Sequence, residues 1–393
     1  MTKISTTKSL FRKRHLPLII LYLCAILIFV GAYYLFKPEK KEILPAEEYA
    51  EYEICTITTI LSDSTEQDPT SDNSWRGEQL LLVDVTSGQY KGQTMQVSNY
   101  VGPLYSVPLE VGDKAVIIIS TYKDGTHLAT VYEYNRFVPI LIILCLFFVA
   151  TIIVGGIIGA KSLLGLLITL ACLFFILIPA LMKGAPTLLT TFVVCIYITV
   201  ISLAILGGLQ KKTVCAMVGT ISGVALAMVF GLLSQVLLRI SGMRVPDAEA
   251  LLQLQRTGTP IGISGLLVAG VVISALGAVM DVAMSISSAL TEIHVANPEL
   301  SCKSLIRSGM NIGRDMVGTM TNTLILALLG SDLVLIVYLY SLELPLNQLL
   351  SSSYVAIEIV SSISSSIGVI MAVPLTVIIN ALALTYKNRN PEL

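Results

Sequence analysis

Asp281 stands in the run LGAVMDVAMSISSAL (276–290), with apolar or small residues around it, in a hydrophobic stretch that begins some twenty residues earlier. An Asp at the centre of a lipid-spanning helix costs about 2.5–3.5 kcal/mol even on mild insertion scales, so its carboxyl must face protein or water. Steps of three and four place Gly270, Ser274, Gly277, Asp281, Ser285 and Ser288 on one helical face. Such a stripe serves either as a seam for close helix packing or as a polar path on which the acid carries a proton or cation. Packing does not require the carboxylate.

A second polar face is legible in NIGRDMVGTMTNTLILALLG (311–330), where Asn311, Asp315, Gly318 or Thr319, and Asn322 recur at helical spacing. At 1.5 Å of rise per residue, Asp281 and Asn322 lie at a similar depth of about 10–12 Å, so the two faces are expected to meet. Arg314 and Asp315 lie nearer the headgroups and read as interface-anchoring charges. Glu358 sits in the serine-rich SSSYVAIEIVSSISSS (351–366), read as a partly re-entrant segment ahead of the last span. Pro374 and Asn380 then mark a kink with local polar contacts. The candidate intramembrane path is therefore Asp281, Ser285, Thr319, Asn322 and Glu358.

Other chemistries lack their residues. There is no phosphate loop, HExxH or GxSxG. Ser285 and Ser288 have no histidine within reach in their span. The three histidines are widely separated, which leaves no metal site, and no cofactor is expected. Of seven cysteines, five lie in apolar spans, Cys302 lies between two spans, and Cys55 is alone in the polar region, so no disulfide forms there. No catalytic residue is assigned, and the chain is read as not an enzyme.

The elements that must position these residues follow from composition. The 393 residues are 54% hydrophobic and 13% charged, against about 25% charged in soluble domains. That deficit marks a membrane protein, and a net charge of −1 gives no field to recruit nucleic acid. Apolar runs of about 20 residues occur at 16–36, 138–158, 162–182, 187–207, 213–238, 262–290, 316–340 and 364–386. The fold class is thus an α-helical multi-span membrane bundle of about eight transmembrane helices. The first run is too long for a cleaved signal, ends in KPEKKE, and reads as an anchor preceded by a basic tail. Lys and Arg bias puts Arg12–Arg14, Lys161, Lys211, Lys212, Lys303, Arg307, Arg314, Lys387 and Arg389 on the cytoplasmic side; Arg239, Arg244 and Arg256 obey the rule imperfectly. Both termini are then cytoplasmic.

Residues 37–136 differ in character. Short β-prone runs (80–85, 94–98, 115–120) alternate with the turn texts SGQYKGQ, VGP, VGDK and YKDGTH, which predicts a small extracytoplasmic, mainly β domain. Its 65–79 stretch reads as a polar loop. Whether the domain is a spacer or binds a ligand stays open. Three segments follow: tail and anchor (1–36), β domain (37–136) and a seven-helix membrane domain (137–393). Between two spans, Asn297-Pro298-Glu299 predicts the start of a short amphipathic helix, either on the membrane surface or packed on the bundle. The small-residue face Gly219, Gly223, Ala227, Gly231 reads as packing.

The blocks ALGAVMDVAMSISSALTEIHVANPELS and SGMNIGRDMVGTMTNTLILALLGS, with VAIEIV and SSIGVIMAVPLT, resemble the YibE/F family of bacterial multi-pass membrane proteins over roughly 140–386. The anchor and outer domain resemble its YibE-type member. The resemblance implies a bacterial cell membrane location and, as partner besides the lipid bilayer, a YibF-type paralogue or a second copy. It implies no substrate and no catalytic residues. A looser similarity of layout links Asp281, the 297–310 element and TMTNTLILALLG to RND-type permeases and SecD/SecF proteins, in which a buried acid can take part in proton coupling. Two function classes follow. One is a permease-like or transport-associated subunit with a polar path at Asp281. The other is a non-transporting assembly or scaffold protein whose outer β domain binds an envelope partner.

Overall fold

Alternating apolar and polar residues build the N-terminal sheet. In the computed structural model, which describes residues 3–37, 49–121, 127–240, 243, 248–256 and 258–389, the helix α1 (Lys3–Phe36) is followed by six strands. They are β1 (Tyr49–Asp63), β2 (Glu66–Asp68), β3 (Ser74–Val85), β4 (Thr94–Val101), β5 (Lys114–Thr121) and β6 (His127–Tyr134). Residues 122–126 of the YKDGTH turn, Arg244, and the KPEKKE text beyond Lys37 lie outside the described residues. Two compact units result, Glu39–Ala150 and Met1–Pro38 with Thr151–Leu393.

In the first unit β1 pairs with both β5 and β3, so the order β1-β5-β6-β4-β3 closes on itself. All pairings are antiparallel except β4 against β6, parallel at Ser98 and Thr130. Five closed strands in this Greek-key order form an OB-type barrel. Its core takes every second residue: Leu81 and Val83 of β3, Val97 of β4, and Ile117 and Ile119 of β5, with Ile57 of β1 and Leu109. One patch of the interior is polar. Asn99 Nδ2 donates to Gln79 Oε1 (2.9 Å), which also accepts from the Leu109 amide (2.9 Å), while Gln79 Nε2 donates to Asp63 Oδ2 (2.9 Å). Contrary to the expected loop at 65–79, β2 folds back on β3, with Glu66 opposite Arg76. Arg76 holds the turn by bridging Glu66 and Asp68, each at 3.1 Å.

The second unit is helical. Its elements are α1, α2 (Phe137–Cys172, from Thr151), α3 (Ile178–Met182), α4 (Thr187–Gly207), α5 (Lys211–Leu237), α6 (Ala248–Arg256), α7 (Leu266–Ala296), α8 (Cys302–Ser331), α9 (Leu333–Ser341), α10 (Leu346–Leu350) and α11 (Ser353–Arg389). Among the described residues, five helical stretches are long and apolar enough to cross a membrane, or six when α8 and α9 count as one span bent by 63°. Eight runs were expected. Two of them, 138–158 and 162–182, join into the single helical stretch Phe137–Met182, and the first leaves a shorter apolar helix, Ile20–Phe36. The joined stretch is not straight. Gly156 has φ +54° and ψ −135°, and the Thr151 carbonyl oxygen lies 2.2 Å from where a Cβ on Gly159 would stand. A straight helix separates residues eight apart by about 12 Å.

The bundle is centred on α7, which packs on α4, α5, α8 and α11, while α5 and α11 pack closely on each other. Small residues set that closeness. A methyl group on Gly223 would lie 2.7 Å from Ala372 Cβ and 2.8 Å from Val279 Cγ1, and one on Gly313 would lie 2.2 Å from Val373 Cγ1. The Gly219–Gly231 face is thus a packing seam against α7 and α11.

Two boundaries differ from expectation. There is no separate helix at 297–310; α8 starts at Cys302, where the Ser301 side chain caps it by accepting from Ser304 N (3.2 Å), and the amphipathic stretch is its first turns. Leu305, Gly309 and Gly313 are its buried side, which docks on the bundle and carries the helix onward. The serine-rich segment from Ser353 onward is the start of one long helix, α11, which runs on through Pro374. Asn380 donates to the Thr376 carbonyl (2.9 Å) and accepts from Ser287 (2.7 Å), the polar contacts expected there.

Candidate functional site

The exposed face of α7 carries the stripe read from the sequence. Gly270, Ser274, Gly277, Asp281 and Ser285 are all open, and nothing lies within 4 Å of where a Cβ on Gly270 or Gly277 would stand. The opposite face, with Val268, Val272, Val279, Val282, Ile286 and Leu290, is buried in the core. Asp281 forms no hydrogen bond or ion pair with a described side chain. Ser287, one residue off the stripe, is buried and ties α7 to α11 through Asn380.

The α8 residues do not join it. Gly313 faces Ile286 and Gly309 faces Leu290, so α8 runs antiparallel to α7 and position 318 stands near the level of Asp281. At 100° per residue, Asp315, Gly318 and Asn322 fall on the side of α8 opposite Gly313, and all three are exposed. Thr319 turns its hydroxyl back to the Asp315 and Met316 carbonyls (3.3 and 3.1 Å). Arg314 Nη1 reaches only Asn311 Oδ1, at 3.4 Å. Thr319 therefore stands near the level of Asp281 and Asn322 about one turn away, and neither shares its face.

Glu358 is where polar groups converge. Its side chain and that of Asp332 line the same cavities, one on each side of the pair. Asp332 stands at the 63° break between α8 and α9, where the apolar run LILALLGSDLVLIVYLY is interrupted by Gly330-Ser331-Asp332. Short polar side chains favour such ends because they offer the backbone alternative hydrogen bonds; Ser331 Oγ donates to the Leu328 carbonyl at 2.7 Å.

Two cavities share Leu328, Asp332 and Glu358 as a common wall. One, of about 250 Å³, lies between α8, α9 and α11 and is lined by Ile325, Leu335, Val355 and similar apolar residues. The other, of about 360 Å³, lies between α7, α8 and α11, with Leu251 of α6, and is lined by Gly270, Ser274, Ser331 and Ser361. The lining Ser274 meets the buried Ser365 hydroxyl of α11 at 2.8 Å. The α7 stripe thus runs into this cavity: Gly270 and Ser274 are in it, and Asp281 follows seven residues on, about 10 Å along the helix. Sequence reasoning missed Asp332. The signal is an acidic residue within the apolar 316–340 run, which hydropathy alone takes as an unbroken span.

The YibE/F-like protein family matches residues 143–386. The chain belongs to the YibE/F family. The match spans most of the helical unit and takes in the α7 stripe, the α8–α9 break and Glu358. No curated protein and no solved structure matches the chain. Membership and the apolar helices together mark a membrane protein, and leave what it moves or holds to be argued from the site.

Proposed function

We propose that this YibE/F member is a permease-like or transport-associated subunit in which a polar path runs along α7 from Asp281 and Ser285 to the Asp332–Glu358 pair. The observation that carries the reading is the convergence of small and polar residues from α7, α8 and α11 on one cavity at a broken helix. Membrane transporters use broken helices because freed backbone and side-chain groups can replace the water shell of a proton or ion. Two carboxyl groups on one cavity wall can bind a proton or a cation. No catalytic chemistry is assigned. Thr319, Asn322, Arg314 and Asp315 belong to an outer face of α8, the face offered to lipid headgroups and to a YibF-type paralogue or second copy.

With Phe137–Met182 crossing twice about Gly156 and α8–α9 crossing once, the count is eight. Both termini are then cytoplasmic, the barrel is extracytoplasmic, and the membrane is the bacterial plasma membrane. The second reading, an assembly protein, is favoured by aromatic side chains exposed on the barrel unit, Trp75, Tyr100 and Tyr105.

The test is accessibility. In a chain with its native cysteines replaced, a water-soluble thiol reagent should label cysteines at Ser274, Asp281 and Ser285 in intact membranes. It should spare Val229 and Leu233, exposed apolar positions of α5. Equal silence at all five positions would remove the path and leave the assembly reading.

A further inference from the structure

A second crevice, of about 660 Å³, lies apart from the acidic pair, between α1, the later turns of α2, and α4; Tyr22, Phe29, Lys161, Ala171, Tyr197 and Gly208 are among its walls. Its surface is apolar except for two hydroxyls and one ammonium. Tyr22 donates to the Ala204 carbonyl at 3.1 Å and Tyr197 to the Ala25 carbonyl at 2.8 Å, so both hydroxyls are taken up in holding α1 antiparallel to α4. Lys161 forms no ion pair with a described residue, and no carboxylate lines the crevice. The lysine stands at the end where α4 finishes, since Gly165 faces Ser202 and Gly208 closes the wall. Lys211 and Lys212 follow three and four residues later. From Lys161 to Ala171 the helix rises about 15 Å, half of a hydrocarbon core of about 30 Å. The crevice is as deep as one leaflet and carries its single cation at one end.

We propose that this crevice binds an anionic phospholipid, one acyl chain lying between α1 and α4 and the headgroup phosphate on Lys161. The apolar walls accept the chain of any lipid; Lys161 selects the charge. Basic pockets between spans on the cytoplasmic side are suited to anionic headgroups, and one lysine near the surface gives about a fivefold preference. The site does not depend on the acidic pair or on transport.

The experiment uses the full chain reconstituted in vesicles of mixed phosphatidylcholine and phosphatidylglycerol, then extracted and weighed with its bound lipid by native mass spectrometry. The wild type should retain phosphatidylglycerol about fivefold above its share of the bulk. Lys161→Gln should lose that enrichment, and Lys161→Arg should keep it. Ala171→Phe, which fills the chain's place and leaves the lysine, should lose bound lipid of both kinds while melting as the wild type does. Bound lipid with no headgroup preference, or enrichment unchanged in Lys161→Gln, would overturn the proposal.

Discussion

The barrel and the bundle treat acidic groups in different ways. The barrel buries whole amides: Asn99 is fully buried and Gln79 nearly so, and each makes several hydrogen bonds inside the core. The bundle also buries an amide, Asn380, but among its described residues no Asp or Glu is buried, whereas the barrel buries Glu53 and Asp68. Its buried Thr191 and Thr199 return their hydroxyls to the carbonyl four residues earlier, at 2.8 Å each. A hydroxyl that bonds to its own helix needs no neighbour. A carboxyl needs a donor, a cation or water. Polar groups in the barrel are therefore read as architecture. In the bundle, the half-buried or exposed carboxyls of Asp281, Asp332 and Glu358 are read as function.

The largest effect should come where the bundle has no tolerance. Gly223 is enclosed by Ala372, Val279 and the Gly368 carbonyl, which lie 2.7, 2.8 and 3.0 Å from where a Cβ on its backbone would stand. Gly223→Val forces apart α5, α7 and α11, beyond the 1–3 kcal/mol of ordinary overpacking, by roughly 3 kcal/mol or more. The variant should fail to accumulate in membranes, as read by immunoblot. Normal accumulation would mean that the seam is not what holds the bundle.

The barrel should break next, and by a polar route. Gln79→Leu strands the Asn99 amide and the Leu109 N–H, at about 1–3 kcal/mol for each unpaired group. For a domain of this size the melting midpoint should fall by more than about 10 °C, measured on the isolated barrel by circular dichroism. A shift of a degree or two would show that water replaces the lost amide.

Smaller effects come from pH, and they act on the barrel. The Thr65 hydroxyl, then Gln79 and the Thr65 amide, hold Asp63 below the usual carboxylate range; the Thr70 hydroxyl and amide do the same for Asp68. Folded values below the unfolded value of about 3.9 mean full stabilisation above that pH and loss as pH falls through the folded values. Burial pushes the Cys55 thiol the other way, up to about 11. That contribution is complete below the unfolded value of about 8.5 and is lost as pH rises toward 11. Denaturant midpoints of the barrel should therefore be flat between these limits and fall outside them. The alkaline fall should vanish in Cys55→Ala.

Legibility followed the same division. The α7 stripe was readable because period and residue size both repeat over four turns, from Gly270 to Ser285. Strand text at 80–85, 94–98 and 115–120 was readable from local alternation. β1 was not singled out, although Ile54, Thr56, Thr58 and Ile60 belong to a 15-residue strand, and barrel closure was invisible because β1 pairs with β5 some sixty residues away. The expected meeting of Asp281 with Asn322 is not made, because the rotation of α8 is set by Gly309 and Gly313 fitting against Val377 and Val373 of α11. Asp332 was hidden for the converse reason. A single acid in a seventeen-residue run that is otherwise almost all apolar leaves mean hydropathy high, while the cavities it lines with Glu358 form only when α8, α9 and α11 pack together.

The smallest structural effect is expected at the residue with the largest assigned role. Asp281 is exposed on α7 and holds nothing in the fold, so Asp281→Asn removes no packing and strands no partner. Its thermal midpoint in detergent should match the wild type within about 0.5 kcal/mol, the range of surface substitutions away from special features. Asp281→Leu should be close to neutral as well, because the exposed side chain makes no contact that the fold depends on. Both variants should nonetheless lose the phenotype that the intact gene restores to a deletion strain, since neither can carry a proton or cation. Asp281→Glu, which can, should restore it at least in part. If Asp281→Asn melts well below the wild type, the carboxylate is architectural after all, and the contrast between barrel and bundle fails at the residue that defines it. If it melts normally and complements fully, the contrast survives and the path must be carried by Asp332 and Glu358 alone.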